Sequence, residues 1–471
     1  MIADRRYRDA VPGDEALLFA ERLLALLDAT RYSTTYKLAT LLALIDVTAE
    51  RTGPGGSAPE VLSAKEVGQR VIELYWPQTV PYGAGPRGEH RVLSQAPQND
   101  ISSKLAAWRA RHHLDSKASL EDARAVDRAG WTALEAGLVA TVIGMPLAKL
   151  QRFGESRHSV EDRFIYDFSW REEVGRSTVA KADFDDRLWL RPGVGGWLVR
   201  LAPLIRPLVQ AKWALRVASE NPDLVDTERV NDFLFGAKRI SLARVHTPLA
   251  EAQDRACFYC ASRLSDSWEV DHFIPWSRHP DNSLDNLVAA HVACNNAKSA
   301  SLASVGHLRR WVERFADSQA NRRVEAVQQS TGWPRRPDRV LSTARAIYLW
   351  LPEGTRLWQE KTVYDPLDPA EVRAVLGMVA LLGPSACRGD GQRGWGIATE
   401  IAGTSWDTWL SRRRRSAGAS RGICGREPAR STARSAPHAV AGARSIAWPT
   451  GRPERRWLAG GPDGCAARRS R

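Results

Sequence analysis

The chain has 471 residues, 43% of them hydrophobic and 26% charged, the composition of an ordinary globular protein with room for two or three domains. Its net charge of +13 is mostly local: residues 384–471 hold 17 arginines, no lysine and 6 acidic residues, leaving 50 basic against 48 acidic in 1–383. That near-neutral part excludes a global field as the source of nucleic-acid affinity and requires a local basic surface instead.

Residues 1–10 are charged and lack the apolar segment of a secretory signal. The longest uncharged stretches, such as 137–148, fall short of the roughly 18 apolar residues of a membrane helix. A cytoplasmic protein without membrane contact is the expectation.

Residues 1–115 predict a helical N-terminal domain. Over 36–49 (YKLATLLALIDVTA), Leu38, Leu41, Leu42 and Ile45 recur at helical spacing. After a Gly- and Pro-rich loop at 52–59, Ser63 and Glu66 have the spacing of a capping box. Val67, Val71 and Leu74 continue that helix, which must stop before Pro77. Residues 100–113 predict an amphipathic helix whose end carries Arg109, Arg111, His112 and His113, which either offset the helix dipole or contact phosphate.

Residues 116–250 read as a mixed, mainly helical central region. Alternation over 163–170 (RFIYDFSW) suits a strand, and 197–218 is a long apolar helical pattern expected to break near Pro203 and Pro207. Residues 306–383 return to helix, with Leu308, Trp311, Val312 and Phe315 on one face, Arg309 and Arg310 at the surface, and a last apolar helix over 372–382. From 384 to 471 the chain turns to Arg, Ala, Gly, Ser and Pro, the composition of a disordered basic tail or of an out-of-frame segment. No catalytic role is assigned to it.

Residues 251–305 concentrate the chemistry. No cysteine precedes Cys257; Cys257, Cys260 and Cys294 lie close together, while Cys387, Cys424 and Cys465 are scattered beyond 384. A disulfide framework would not leave more than half the chain without cysteine, so metal binding is the better reading. Cys257 and Cys260 are separated by two residues, and His291 and Cys294 repeat that gap. Two such clips suit tetrahedral Zn²⁺, closed by four protein ligands and acting as a staple. His291 is the weakest of the four, because cysteine is common at such a place.

Between the clips, Asp271 and His272 are adjacent in a strand-like run that ends at Pro275, and Asn295 opens a helical run through Lys298. A carboxylate and an amide oxygen can hold Mg²⁺ with positions left for phosphate and water. A neighbouring imidazole can take a proton from water near neutral pH. Phosphodiester hydrolysis needs both. Lys298 is a candidate phosphate contact or a solvated helix cap; Arg278 and His279 are candidate DNA contacts; Trp276 reads as core.

The order and spacing of Asp271–His272, Asn286–Leu287, Cys294–Asn295 and Lys298 resemble the HNH endonuclease family over about 45 residues. The resemblance implies a ββα-metal fold at 251–305, and so an α+β chain overall: helical N-terminal and central regions, a small zinc-stapled domain, a helical segment and the tail. It implies that His272 is the general base, that Asp271 is a metal ligand, and that Asn286 ties the loop and orients the histidine backbone. Asn295 stands where the family carries its last histidine and can still offer an oxygen to the metal. The flanks, including Tyr75, Trp76, Pro77 and Gln78, also look like larger bacterial proteins with an HNH domain after a helical region, which brings restriction or phage defence as an expectation. Double-stranded DNA is the expected substrate, and a second copy of the chain or a defence-system protein the expected further partner. Two other readings stay open: a zinc-stapled DNA-binding module that does not cut, and a partner-docking protein.

Overall fold

The computed structural model describes residues 14–378, apart from 30–33, 84–90, 96–100, 155–158, 172–173, 223–226 and 237–240. The tail reading for 384–471 and the end of the helix expected over 372–382 lie outside the described residues.

Helices α1 (Asp14–Ala29) and α2 (Tyr36–Glu50) come first. Every residue of α2 from 38 to 49 is buried, so it is the central helix of a core and not the one-sided helix its leucine spacing suggested. Strand β1 (Val61–Ser63) leads into α3 (Ala64–Tyr75). Ser63 Oγ accepts from the Glu66 amide at 3.2 Å, half of the expected capping box, while the Glu66 carboxylate pairs with Arg51. Pro77 ends the helix, and residues 76–79 tighten into a 3-10 turn.

Helices α4 (Ile101–Arg111), α5 (Leu120–Val126) and α6 (Arg128–Val142) follow. Arg109 does more than offset a dipole: its guanidinium lies 4.0 Å over the Trp76 ring and donates to Thr79 Oγ1, bracing the 3-10 turn. Through a π turn containing Pro146, α6 extends to a run, Arg128–Leu147, that is long and apolar enough to cross a membrane by length and composition. The uncharged stretch at 137–148 had not suggested so long a span. Half of that window is buried, and a Cβ on Gly68 of α3 would stand 3.1 Å from Val139. The two helices therefore pack almost backbone to backbone.

Strands β2 (Arg152–Phe153) and β3 (Val160–Glu161) pair with each other, and β4 (Tyr166–Asp167) is all of 163–170 that forms a strand. Gln151 Oε1 accepts the Ile165 and Tyr166 amides, taking the place of ladder partners. After α7 (Arg176–Val179), β5 (Arg187–Leu190) forms the centre of an antiparallel sheet ordered β1-β5-β4. Helix α8 (Val194–Glu220) runs 27 residues without the expected break. Pro203 and Pro207 stand one turn apart on its exposed side, so their rings take no room in the core. With α9 (Thr227–Phe235) these elements close a first core running from Phe19 to Leu234.

Helix α10 (Ala243–Ala252) precedes the antiparallel pair β6 (Trp268–His272) and β7 (Leu287–His291), which is followed at once by α11 (Val292–Lys298). Then come α12 (Val305–Ala316), α13 (Ser318–Thr331) and α14 (Pro337–Tyr348), an unanticipated hairpin of β8 (Arg356–Glu360) and β9 (Val363–Pro366), and α15 (Pro369–Gly377). A second core joins Phe258, Phe273 and Val288 to Leu308, Trp311, Val312 and Phe315 of α12. Phe273 and Trp311 stack with ring centres 4.7 Å apart. Arg309 is at the surface as expected, but Arg310 turns inward and donates to the Phe258 and Tyr259 carbonyls.

Candidate active site and metal centre

The backbone turns left-handed at Ala261, just after Cys260. His291 ends β7, and Cys294 lies one turn into α11. Together these place the sulfurs of Cys257, Cys260 and Cys294 and a ring nitrogen of His291 within 4.8 Å of one another. Cys260 Sγ is 3.3 Å from His291 Nδ1, and His291 Nε2 is 3.0 Å from the Arg263 carbonyl. Donation from Nε2–H to that carbonyl keeps the Nδ1 lone pair for a metal. Burial, then the charges of Cys257 and Cys260, push the Cys294 thiol up to about 12. A divalent cation removes that penalty on three clustered thiolates. These four residues could therefore hold a metal such as zinc.

Strand β6 delivers Asp271 and His272, each 8% exposed. Asp271 Oδ2 accepts from the Tyr259 hydroxyl and from the Lys298 ammonium, the latter at 2.9 Å. Among the described residues nothing bonds Oδ1. Lys298 is fully buried and also donates to the His272 carbonyl at 2.8 Å. A buried ammonium needs a charged partner, so Lys298 is the counter-ion of Asp271 and neither a phosphate contact nor a solvated cap.

His272 Nε2 lies 2.7 Å from Asn282 Oδ1, and its ring centre is 5.3 Å from that of Trp276. Burial holds the imidazole below its ordinary pKa against the opposite pull of Asn282 and Asp271, which favours the neutral ring at pH 7. Asn286, fully buried, ties the loop on both sides: its Oδ1 accepts the Ile274 amide at 2.8 Å, and its Nδ2 donates to the Ile274 and Asp281 carbonyls. Its own carbonyl accepts the Phe273 amide, next to His272.

Asn295 is half-buried and donates from Nδ2 to Glu269 Oε2 at 2.8 Å. Glu269 lies two residues before Asp271, hence on the same side of β6. Asp271, His272 and Lys298 thus form one bonded group, and Asn295 reaches the same strand through Glu269. Arg278 stands apart, half-buried, with no ion pair among the described residues.

His279 is not a DNA contact. It is 2% exposed, with its ring 3.6 Å from Asp46 and 3.2 Å from Glu50 of α2. Burial alone would raise the Asp46 carboxyl, but Arg206 and Arg70, then His279, hold it far below the usual carboxylate range. Trp276 donates to the Phe235 carbonyl at 2.7 Å, in keeping with its reading as a packed residue.

Tyr259, Asn282 and Glu269 escaped the sequence reading. Tyr259 looked like a spacer between zinc ligands, and Asn282 sits in an aperiodic loop. Only Glu269 left a usable signal, its spacing of two from Asp271 on a strand.

Residues 257–301 match the family model described as HNH endonuclease. No curated protein and no solved structure matches the chain. The matched segment contains both metal clips, the Asp271–His272 pair and the turn from Asn295 to Lys298. The chain therefore carries an HNH endonuclease domain, at residues 257–301 of its 471.

Proposed function

We propose that the chain is a metal-dependent endonuclease that hydrolyses DNA phosphodiester bonds. The observation that carries this reading is the pair Asp271–His272: an imidazole kept neutral by burial, beside a carboxylate with one oxygen left unbonded by the described residues. His272 accepts the proton of the water that attacks phosphorus, the bond to the 3′ oxygen breaks, and that oxygen takes a proton from solvent, leaving 5′-phosphate and 3′-hydroxyl ends. The oxygens of Asp271 and Asn295 are hard donors suited to Mg²⁺ or a similar cation. When bound, that cation supplies stabilisation of charge on the phosphate and the leaving oxygen. Tyr259 and Lys298 hold the Asp271 carboxylate in place through Oδ2. Zn²⁺ at Cys257, Cys260, His291 and Cys294 is assigned a structural role, and Arg278 a contact to the DNA backbone. Double-stranded DNA is the proposed substrate. One such centre cuts one strand, so a double-strand cut calls for a second copy. Restriction or phage defence in the cytoplasm is the proposed setting.

His272→Ala should slow nicking of supercoiled plasmid in Mg²⁺ or Mn²⁺ by about 10²–10⁴-fold, the contribution of a general base, with zinc content unchanged. Undiminished cutting by that variant overturns the assignment. A non-cleaving DNA-binding module is the second reading. It is favoured by the Lys298 ammonium, which already neutralises Asp271. Gel-shift binding without strand breaks in every divalent metal would select it.

A further inference from the structure

We infer that Asn282 is a positioning residue that fixes the tautomer of His272; the inference rests on His272 being the base of the reaction above. An amide oxygen can only accept a hydrogen bond, so the contact between Asn282 Oδ1 and His272 Nε2, at 2.7 Å, places the single proton of the neutral ring on Nε2. The lone pair then lies on Nδ1, which no other described residue engages. The opposite tautomer would set two lone pairs against each other across the same contact and would leave Nδ1 protonated and useless as a base.

The Asn282 side chain is not what holds the loop together. The Asn282 backbone carbonyl is held by Trp333 Nε1 at 2.6 Å. The neighbouring Asp281 carboxylate takes the Ser283 amide, and Asn286 ties Asp281 to Ile274. Asp285 is fixed by the Arg335 guanidinium and the Arg336 amide. The Asn282 side chain is therefore free to serve His272.

The brace also has a consequence for the domain's extent. Trp333, Arg335 and Arg336 all lie beyond the matched residues 257–301, so the atoms that aim the histidine depend on a downstream segment. Asn282, Trp276 and Trp333 line a cavity of about 170 Å³. Leucine, close to asparagine in shape, removes the acceptor while leaving the backbone ties of residues 281–286 in place.

The test uses the full chain with its zinc. Asn282→Leu should lower kcat for plasmid nicking by about 10–100-fold, the usual cost of removing such a support, with KM within about twofold of wild type. Asn282→Asp, which keeps the acceptor, should restore most of kcat. The ring protons are read by two-dimensional ¹H–¹⁵N spectra, with His272 identified by the signals lost in His272→Gln. The wild-type ring should carry its proton on Nε2, and Asn282→Leu should show a mixture of tautomers. A proton on Nδ1 in the wild type, or an unchanged kcat in Asn282→Leu, overturns the inference. If no form cuts DNA but the Nε2 proton is present in the wild type and lost in the leucine variant, the nuclease reading fails and the positioning role stands.

Discussion

Lys298 shows how far a single residue can depart from its sequence context. On a short polar helix it looks solvated; in the fold its ammonium is buried 2.9 Å from Asp271. Which side of α11 faces β6 is set by the angle between the two elements, and residue spacing holds no record of that angle. That Asp271 and His272 end one strand and that Asn295 lies in the helix through Lys298 could be read from the sequence, because both are local. Tyr259 and Asn282 could not, since each is marked only by a contact made in the fold, to Asp271 and to His272. Removing one partner of a buried ion pair leaves an uncompensated charge, so Lys298→Ala should destabilise the fold by about 3–5 kcal/mol in urea denaturation. Adding Asp271→Asn should recover part of that loss. An additive double variant would contradict the pairing.

At the level of elements, the structural role proposed for zinc makes the ββα unit depend on its clips. β6, β7 and α11 together span few residues, and the four residues that could hold a metal bring the loop before β6 to the end of β7 and the start of α11. The clip spacing could be read directly because each pair spans a single turn. The path of α8 could not: its prolines signalled a break, and the outcome turned on both facing water. The hairpin of β8 and β9 was missed because only Leu357 and Trp358 of its first strand are fully buried and its second is exposed, too short a pattern to stand out. Stripping the metal with a zinc chelator should speed hydrogen exchange in β6, β7 and α11 and leave α2 and α8 protected. Unchanged protection in β6 and β7 would show that the clips do not staple the unit.

Across the whole molecule, a buried ionic network joins the first core to the loop that follows β6. Asp46 on α2 pairs with Arg70 on α3, Arg206 on α8 and His279 in that loop, while Arg339 on α14 reaches Glu50, Glu73 and Asp281. The helical region thereby fixes the loop that carries Asn282. Because Asp46 titrates lower in the folded than in the unfolded chain, its stabilisation is present above about pH 4, the unfolded value, and is lost as pH falls below it. Asp46→Asn should therefore be less stable than wild type at pH 7, with the gap in urea midpoint narrowing from about pH 5 towards pH 2. A gap independent of pH would contradict the charge network. None of this network was visible in the sequence, since its members lie far apart in the chain and mutual pairing conceals them in a near-neutral composition.

The most direct test of the nuclease assignment is incubation of the full chain with supercoiled plasmid across a panel of divalent cations, with His272→Ala alongside. The assignment predicts metal-dependent conversion to nicked or linear DNA by the wild type and none above background by the variant. Zinc-loaded, folded wild type that leaves the plasmid intact in every cation, or a variant that cuts equally well, would contradict it.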